Sequence, residues 1–190
     1  MRPSTLLLTA LTFTALLALG TPARAQEAVR QGGRFGAALN GGFASVGDGH
    51  GSSAAVGLVG TTLRFGGALS DRFHIMGEFH LGLMPGATLT GYGSATGFQS
   101  AIDLAGQGYI GPRFFLRGGA GVGWACAVAG NTWLLPLPGP RVSGAVGYDI
   151  WRRGERSLAV SLETSYTVLY RDNTIGSLFT LAASIGFDWY

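Results

Sequence analysis

Apolar and polar residues alternate with a period of two along most of this chain. In "TLAASIGFDWY", Leu181, Ala183, Ile185, Phe187 and Trp189 fall on one side of an extended strand. Thr180, Ala182, Ser184, Gly186, Asp188 and Tyr190 fall on the other. Successive side chains of a strand point to opposite faces, so this split predicts a strand with one apolar face. In "FHIMGEFHLGL", Phe73, Ile75, Gly77, Phe79, Leu81 and Leu83 oppose His74, Met76, Glu78, His80 and Gly82. In "FQSAIDLAGQGYI", Phe98, Ile102, Leu104 and Ile110 oppose Gln99, Asp103, Gln107 and Tyr109. In "FFLRGGAGVGWA", Leu116, Ala120, Val122 and Trp124 oppose Arg117, Gly119, Gly121 and Gly123. In "SLAVSLETSYTVLY", Leu158, Val160, Leu162, Tyr166 and Val168 oppose Ser161, Glu163 and Ser165. Weaker versions occur near 34–45, 55–69 and 141–151, and no helical period of any length follows residue 25. The pattern predicts eight strands of roughly ten residues each.

The connections sharpen that picture. Tight turns are expected at Ser70-Asp71-Arg72, Gly111-Pro112-Arg113 and Arg153-Gly154-Glu155. Longer connections are expected at 46–54, 85–96 and 127–140, with a shorter one at 171–174. A tilted strand of about ten residues crosses a bilayer. Short turns at one end and long loops at the other are the pattern of bacterial outer-membrane barrels. The polar faces carry Gly, Ala and Ser and few charges, which suits a crowded lumen better than the solvated face of a soluble sandwich. Phe35, Phe73, Phe114, Trp124, Tyr170, Phe187 and Trp189 fall near expected strand ends, where interfacial girdles belong.

Composition adds a compartment. The chain has 190 residues, 47% hydrophobic and 12% charged, which fits one domain and excludes disorder. "MRPSTLLLTALTFTALLALGTPARAQ" has a basic start, a short apolar core and the small-x-small flank Ala23-Arg24-Ala25. It reads as a secretory signal over residues 1–25, cleaved before Gln26, with the mature domain over 26–190. Without Arg2 and Arg24, eleven arginines face ten acids and there is no lysine, so nothing argues for nucleic acid. A single cysteine, Cys126, excludes an internal disulfide.

With its signal, eight alternating segments and connection asymmetry, the chain resembles the OmpA/OmpX-like eight-stranded outer-membrane β-barrel family, from about Gly33 to Tyr190. Its end, Ser184-Ile185-Gly186-Phe187-Asp188-Trp189-Tyr190, resembles the C-terminal signal read by the barrel assembly machinery. Gly186, Phe187, Trp189 and Tyr190 would carry that signal, although the family more often ends in Phe or Trp. The resemblance implies an all-β, antiparallel, up-and-down transmembrane barrel with short periplasmic turns, longer extracellular loops and both termini in the periplasm. The implied partners are outer-membrane lipid, lipopolysaccharide and the assembly machinery, and the chain is expected to be a monomer.

"HIMGEFH" (74–80) invites a metal or acid–base reading. On a strand, however, His74 and Glu78 lie roughly 13 Å apart, too far to share a zinc ion. A turn centred on Asp71 sets Arg64 opposite Glu78 and Thr62 opposite His80, which makes an ion pair rather than a metal site. A turn centred on Pro112 sets Gln107 opposite Arg117. Arg64, Glu78, His80, Asp103, Gln107, Arg117 and Glu163 are thus expected to fill the lumen as a structural polar network, with no metal and no cofactor. An eight-stranded barrel has an interior just wide enough for side chains, which disfavours a diffusion pore.

Enzyme chemistry finds little support. Lipid A deacylases on this kind of barrel use a His-x-Ser pair with a Glu, and His50-Gly51-Ser52 matches in letters only, in a Gly/Ser-rich loop. No catalytic residue is assigned. Cys126 reads as a small packing residue. The apolar stretch 131–140 reads as an exposed loop that touches lipopolysaccharide or a partner, or folds over the barrel mouth. Arg152, Arg153 and Arg156 cluster at a tight turn, as a solvated turn or a contact for head groups or periplasmic components. The expectation is a non-enzymatic envelope barrel with a structural or surface-interaction role. A lipid A-modifying enzyme, a narrow channel and a soluble periplasmic β protein are the alternatives.

Overall fold

The computed structural model describes residues 32–47, 53–89, 93–129, 132–171 and 174–190. The signal segment with Ala23 and Ala25, and the His50-Gly51-Ser52 stretch, lie outside the described residues. The strands are β1 (Gly32–Gly47), β2 (Ser53–Ser70), β3 (Phe73–Leu89), β4 (Gly93–Ile110), β5 (Phe114–Ala129), β6 (Thr132–Arg153), β7 (Arg156–Arg171) and β8 (Thr174–Trp189). Each pairs antiparallel with its sequence neighbours, and β1 pairs with β8 from Phe35↔Trp189 to Gly47↔Ser177, closing the barrel. Closure leaves no edge across the paired length of the strands, the condition for a sheet to sit in lipid.

Local chemistry explains the tight turns. Ser70 Oγ accepts the backbone N–H of Phe73 at 3.1 Å, holding the β2–β3 turn. Gly111 and Gly154 have φ of 75° and 56°, a region in which only glycine is unstrained, and they open the β4–β5 and β6–β7 turns.

The barrel is inside out relative to a soluble protein. Leu39, Leu104 and Leu69 on its outer face are 68%, 68% and 69% exposed, whereas Arg64, Glu78 and Asp103 inside are 2%, 2% and 1% exposed. An exterior of that composition is a lipid-facing one. Phe35 and Phe43 on β1, like Phe114 and Trp124 on β5, are eight and ten residues apart. At about 3.3 Å per residue they bracket an apolar belt of bilayer height on tilted strands.

The strands are longer than expected. They run 16 to 22 residues, not ten, and the stretches 85–89, 93–96, 127–129 and 132–140 belong to ladders rather than loops. Bulges make this possible. One falls between Met84 and Ala87, where Gly86 has φ 73°, and another sits opposite Ala125/Ala127. The prolines of "LPLPGP" argue against a strand because they donate no hydrogen bond. Here β6 pairs with β5 from Thr132 but with β7 only from Arg141, so Pro138 and Pro140 lie where β6 has a ladder partner on one side. Of the loop expected over 131–140, residues 132–140 are therefore corrected to the first part of β6.

Candidate functional site

Among the described residues the lumen gathers the buried charged side chains, and it is built in three tiers. The middle tier is charged. Strand register sets Arg64 beside Glu78 and Glu78 beside Asp103. Arg64 Nε donates to Glu78 Oε1 at 3.1 Å and its Nη2 to Glu163 Oε1 at 2.9 Å, across the lumen. Arg117 contacts the same two carboxylates, at 3.2 Å to Glu78 and 2.6 Å to Glu163. Arg141 Nε and Ser143 Oγ donate to Asp103 Oδ2 at 3.0 and 2.9 Å. A carboxylate buried this deeply is tolerable only with such partners.

The tier nearest the tight turns is an aromatic floor. Arg34 donates to both oxygens of Asp188, at 3.3 and 2.7 Å, to His74 Nδ1 at 3.2 Å, and lies 5.2 Å above the Tyr190 ring. As an acceptor, Nδ1 leaves the His74 proton on Nε2. His74 packs between Tyr109 and Tyr190, whose hydroxyls meet at 3.0 Å, and Tyr109 packs on Phe115. The tier beyond the charges is apolar: Ala44, Leu58, Met84, Leu169, Leu178 and Ala182 form one buried cluster. Between floor and cap is a cavity of about 40 Å³ lined by Asn40, Glu78, His80, Gln99, Arg117 and Arg141 among others. That is room for a few water molecules and no more.

Each residue expected in the lumen is there, but its partners are only partly those expected. Gln107 stands opposite Arg117 in register, yet its Nε2 donates to Tyr109 Oη at 2.8 Å. His80 stands opposite Thr62, with Nδ1 3.0 Å from Thr62 Oγ1, while its Nε2 faces Asp103 Oδ2 at 3.4 Å and Glu78 Oε2 at 3.7 Å. Sequence reasoning missed Asp103 beside Glu78, the Arg34–Asp188 clamp and both outer tiers. Met84 and Leu178, large apolar residues at inward positions, were the available signal for the cap.

Two chemistries deserve a test against this geometry. Glu78, His80 and Asp103 bring three donor atoms within 4.8 Å of one another, a spacing that could hold a metal ion. The charges around them oppose it. Arg64 and Arg117 already occupy Glu78 Oε1, and Arg141 occupies Asp103 Oδ2. A divalent ion would add two charges to a set in which four arginines (34, 64, 117, 141) already match four carboxylates (78, 103, 163, 188). Thr62, His80 and Asp103 also line up as a hydroxyl, an imidazole and a carboxylate. Thr62 is 0% exposed and does not line the cavity of about 40 Å³, so the arrangement gives an acyl substrate no open path to that hydroxyl.

Closed topology, lipid-facing exterior and filled lumen define the class: the chain has the fold of the eight-stranded outer-membrane β-barrels of the OmpA/OmpX-like type. Among solved structures it is similar to the Neisserial surface protein NspA, at 12% identity and a TM-score of 0.59, over 84% of this chain and 99% of that one. It is also similar to Ail, the attachment invasion locus protein of Yersinia pestis, at 11% identity and 0.55, over 81% and 98%. No family model matches the sequence, and no curated protein does.

Outside the lumen, Cys126 pairs with Phe98 and lines a groove on the outer face with Trp124. Arg152, Arg153 and Arg156 flank the β6–β7 turn, where Arg152 Nη1 donates to the Pro112 carbonyl at 3.2 Å.

Proposed function

We propose that this chain is a small, non-enzymatic barrel of the bacterial outer membrane, delivered by a signal cleaved after Ala25. Its tight turns and both termini face the periplasm, and its long hairpins face outward. Gly186, Phe187, Trp189 and Tyr190 serve as the end read by the assembly machinery. Its role is envelope structure or surface interaction, acting as a monomer. One observation carries the reading: the lumen is closed by an apolar cap and an aromatic floor around a matched charge network. A barrel filled this way offers neither a continuous water path nor room for a substrate, so its working surfaces are its outside and its hairpin tips. β1 and β5 run four and five residues past Phe43 and Trp124, which suits contact with partners or lipopolysaccharide. The name of Ail, a barrel of this fold, speaks of attachment and invasion.

Fractionation and gel mobility test the proposal. The protein is expected in the outer-membrane fraction, with a folded band that shifts on boiling, and without stable single-channel steps in planar bilayers. Recovery from the periplasm as a detergent-free soluble protein would overturn it, and regular conductance steps would replace the filled barrel with a channel.

A further inference from the structure

We infer that the outer face beside the β6–β7 turn is a binding site for an anionic phospholipid, with Arg153 and Arg156 holding the phosphodiester. The inference rests on the outer-membrane reading and adds a ligand to it.

The argument begins with a bulge. Inward positions of β6 are odd-numbered up to Asp149, which is 0% exposed. Continued alternation would turn Trp151 and Arg153 into the lumen. Instead the register shifts between Asp149 and Trp151, with Ile150 as the extra residue, and both Ile150 and Trp151 face out. Bulges re-aim side chains. This one sets Trp151 beside Leu158 and Arg153 beside Arg156 on the outer face. Arg156 is flanked on its other side by Trp189.

The result is two arginines directly opposite each other at the end of a hairpin. Like charges so placed repel, and their β-carbons lie about 5 Å apart. Among the described residues neither forms an ion pair within 4.0 Å, and the one acid in the hollow they share with Trp151 is Glu155. Two guanidiniums and one carboxylate leave one positive charge, which one phosphodiester neutralises. Guanidinium forks fit phosphate oxygens two at a time. The apolar side of the site is equally defined. Trp151 stacks on Phe187 at 6.3 Å, and Phe187 meets Trp189 at 4.4 Å. Tryptophans sit at head-group level, so a phosphate here leaves its acyl chains lying over the apolar belt. The β2–β3 and β4–β5 turns lack this combination: each carries one arginine of its own, Arg72 and Arg113, with no tryptophan in the turn, although Arg152 reaches the Pro112 carbonyl of the second.

Native mass spectrometry of the detergent-solubilised barrel, after incubation with phosphatidylglycerol or with phosphatidylcholine, tests the site. Wild type is expected to retain one phosphatidylglycerol at least fivefold more than phosphatidylcholine. Arg153→Gln with Arg156→Gln should abolish that preference, whereas Arg72→Gln with Arg113→Gln should keep it. Equal retention of both lipids by wild type, or an unchanged preference in the Arg153/Arg156 variant, overturns the site. Each protein is first checked for the heat-modifiable band. A correctly folded barrel without lipid preference sinks this inference alone, while a chain soluble without detergent sinks the outer-membrane reading beneath it.

Discussion

Arg64 and Arg117 in the lumen and Arg153 and Arg156 at the β6–β7 turn are the same residue type under opposite conditions. Arg64 and Arg117 are 2% and 7% exposed, and each bonds two carboxylates. Arg153 and Arg156 are exposed, face each other and have no carboxylate within ion-pairing distance among the described residues. Removing a guanidinium from water costs several kcal/mol unless partners replace the water, so the lumen admits arginine only as part of a matched set. At the turn, water and head groups do the solvating, and no internal partner is required. The comparison separates arginines that hold the barrel together from arginines that are free to meet something else.

The largest effect should come from breaking the matched set. Glu78→Gln leaves Arg117 with Glu163 alone and Arg64 with Glu163 and a 4.0 Å contact to Asp188, and the network keeps four arginines against three carboxylates. The expected loss is about 3–5 kcal/mol of folding stability, read from urea unfolding in micelles by tryptophan fluorescence. Arg64→Met combined with Glu78→Leu restores the balance and should recover more than half of that loss. Wild-type stability in Glu78→Gln would show that the middle tier is not held by its charges.

That pair was also the most legible part of the site. Inward parity leaves the register little freedom, so Arg64 opposite Glu78 and Gln107 opposite Arg117 follow from counting back from Asp71 and Pro112. The β4–β5 turn spans three residues, 111–113, and the two-residue β2–β3 turn is joined by a bulge between Ala68 and Ser70 that restores the even sum. Legibility stopped where counting stopped. Asp103 lies beside Glu78 through the β3–β4 ladder, whose far end carries a bulge that alternation does not reveal. Glu163 reaches Arg64 across the barrel, 99 residues away, and Arg34 reaches Asp188 across the closing seam, 154 residues away. Such contacts depend on the stagger of the closed sheet, which no single hairpin encodes. Proline and a break in alternation hid the start of β6, because both are signs of loops wherever a strand has partners on two sides.

The apolar cap supplies an intermediate case, in which neither charge nor water enters. Leu178 is 2% exposed within its cluster. Leu178→Ala should cost about 2–4 kcal/mol, the transfer and cavity terms together, in the same unfolding assay. A loss under about 1 kcal/mol would mean that water drains into the new space from the cavity below, and that the cap is not a dry plug.

The smallest effect should fall on the turn arginines, and there the small size is the point. Arg153→Gln with Arg156→Gln removes two exposed charges that repel each other across the hairpin, so stability should stay within about 0.5 kcal/mol of wild type or rise slightly. A loss above about 1 kcal/mol would make these side chains structural, like Arg64, and would erase the distinction between the two regions. Unchanged stability together with a lost preference for anionic lipid would set them apart: a buried arginine is bound by the chain it stabilises, and an exposed pair that stabilises nothing within the chain is free to bind a ligand outside it.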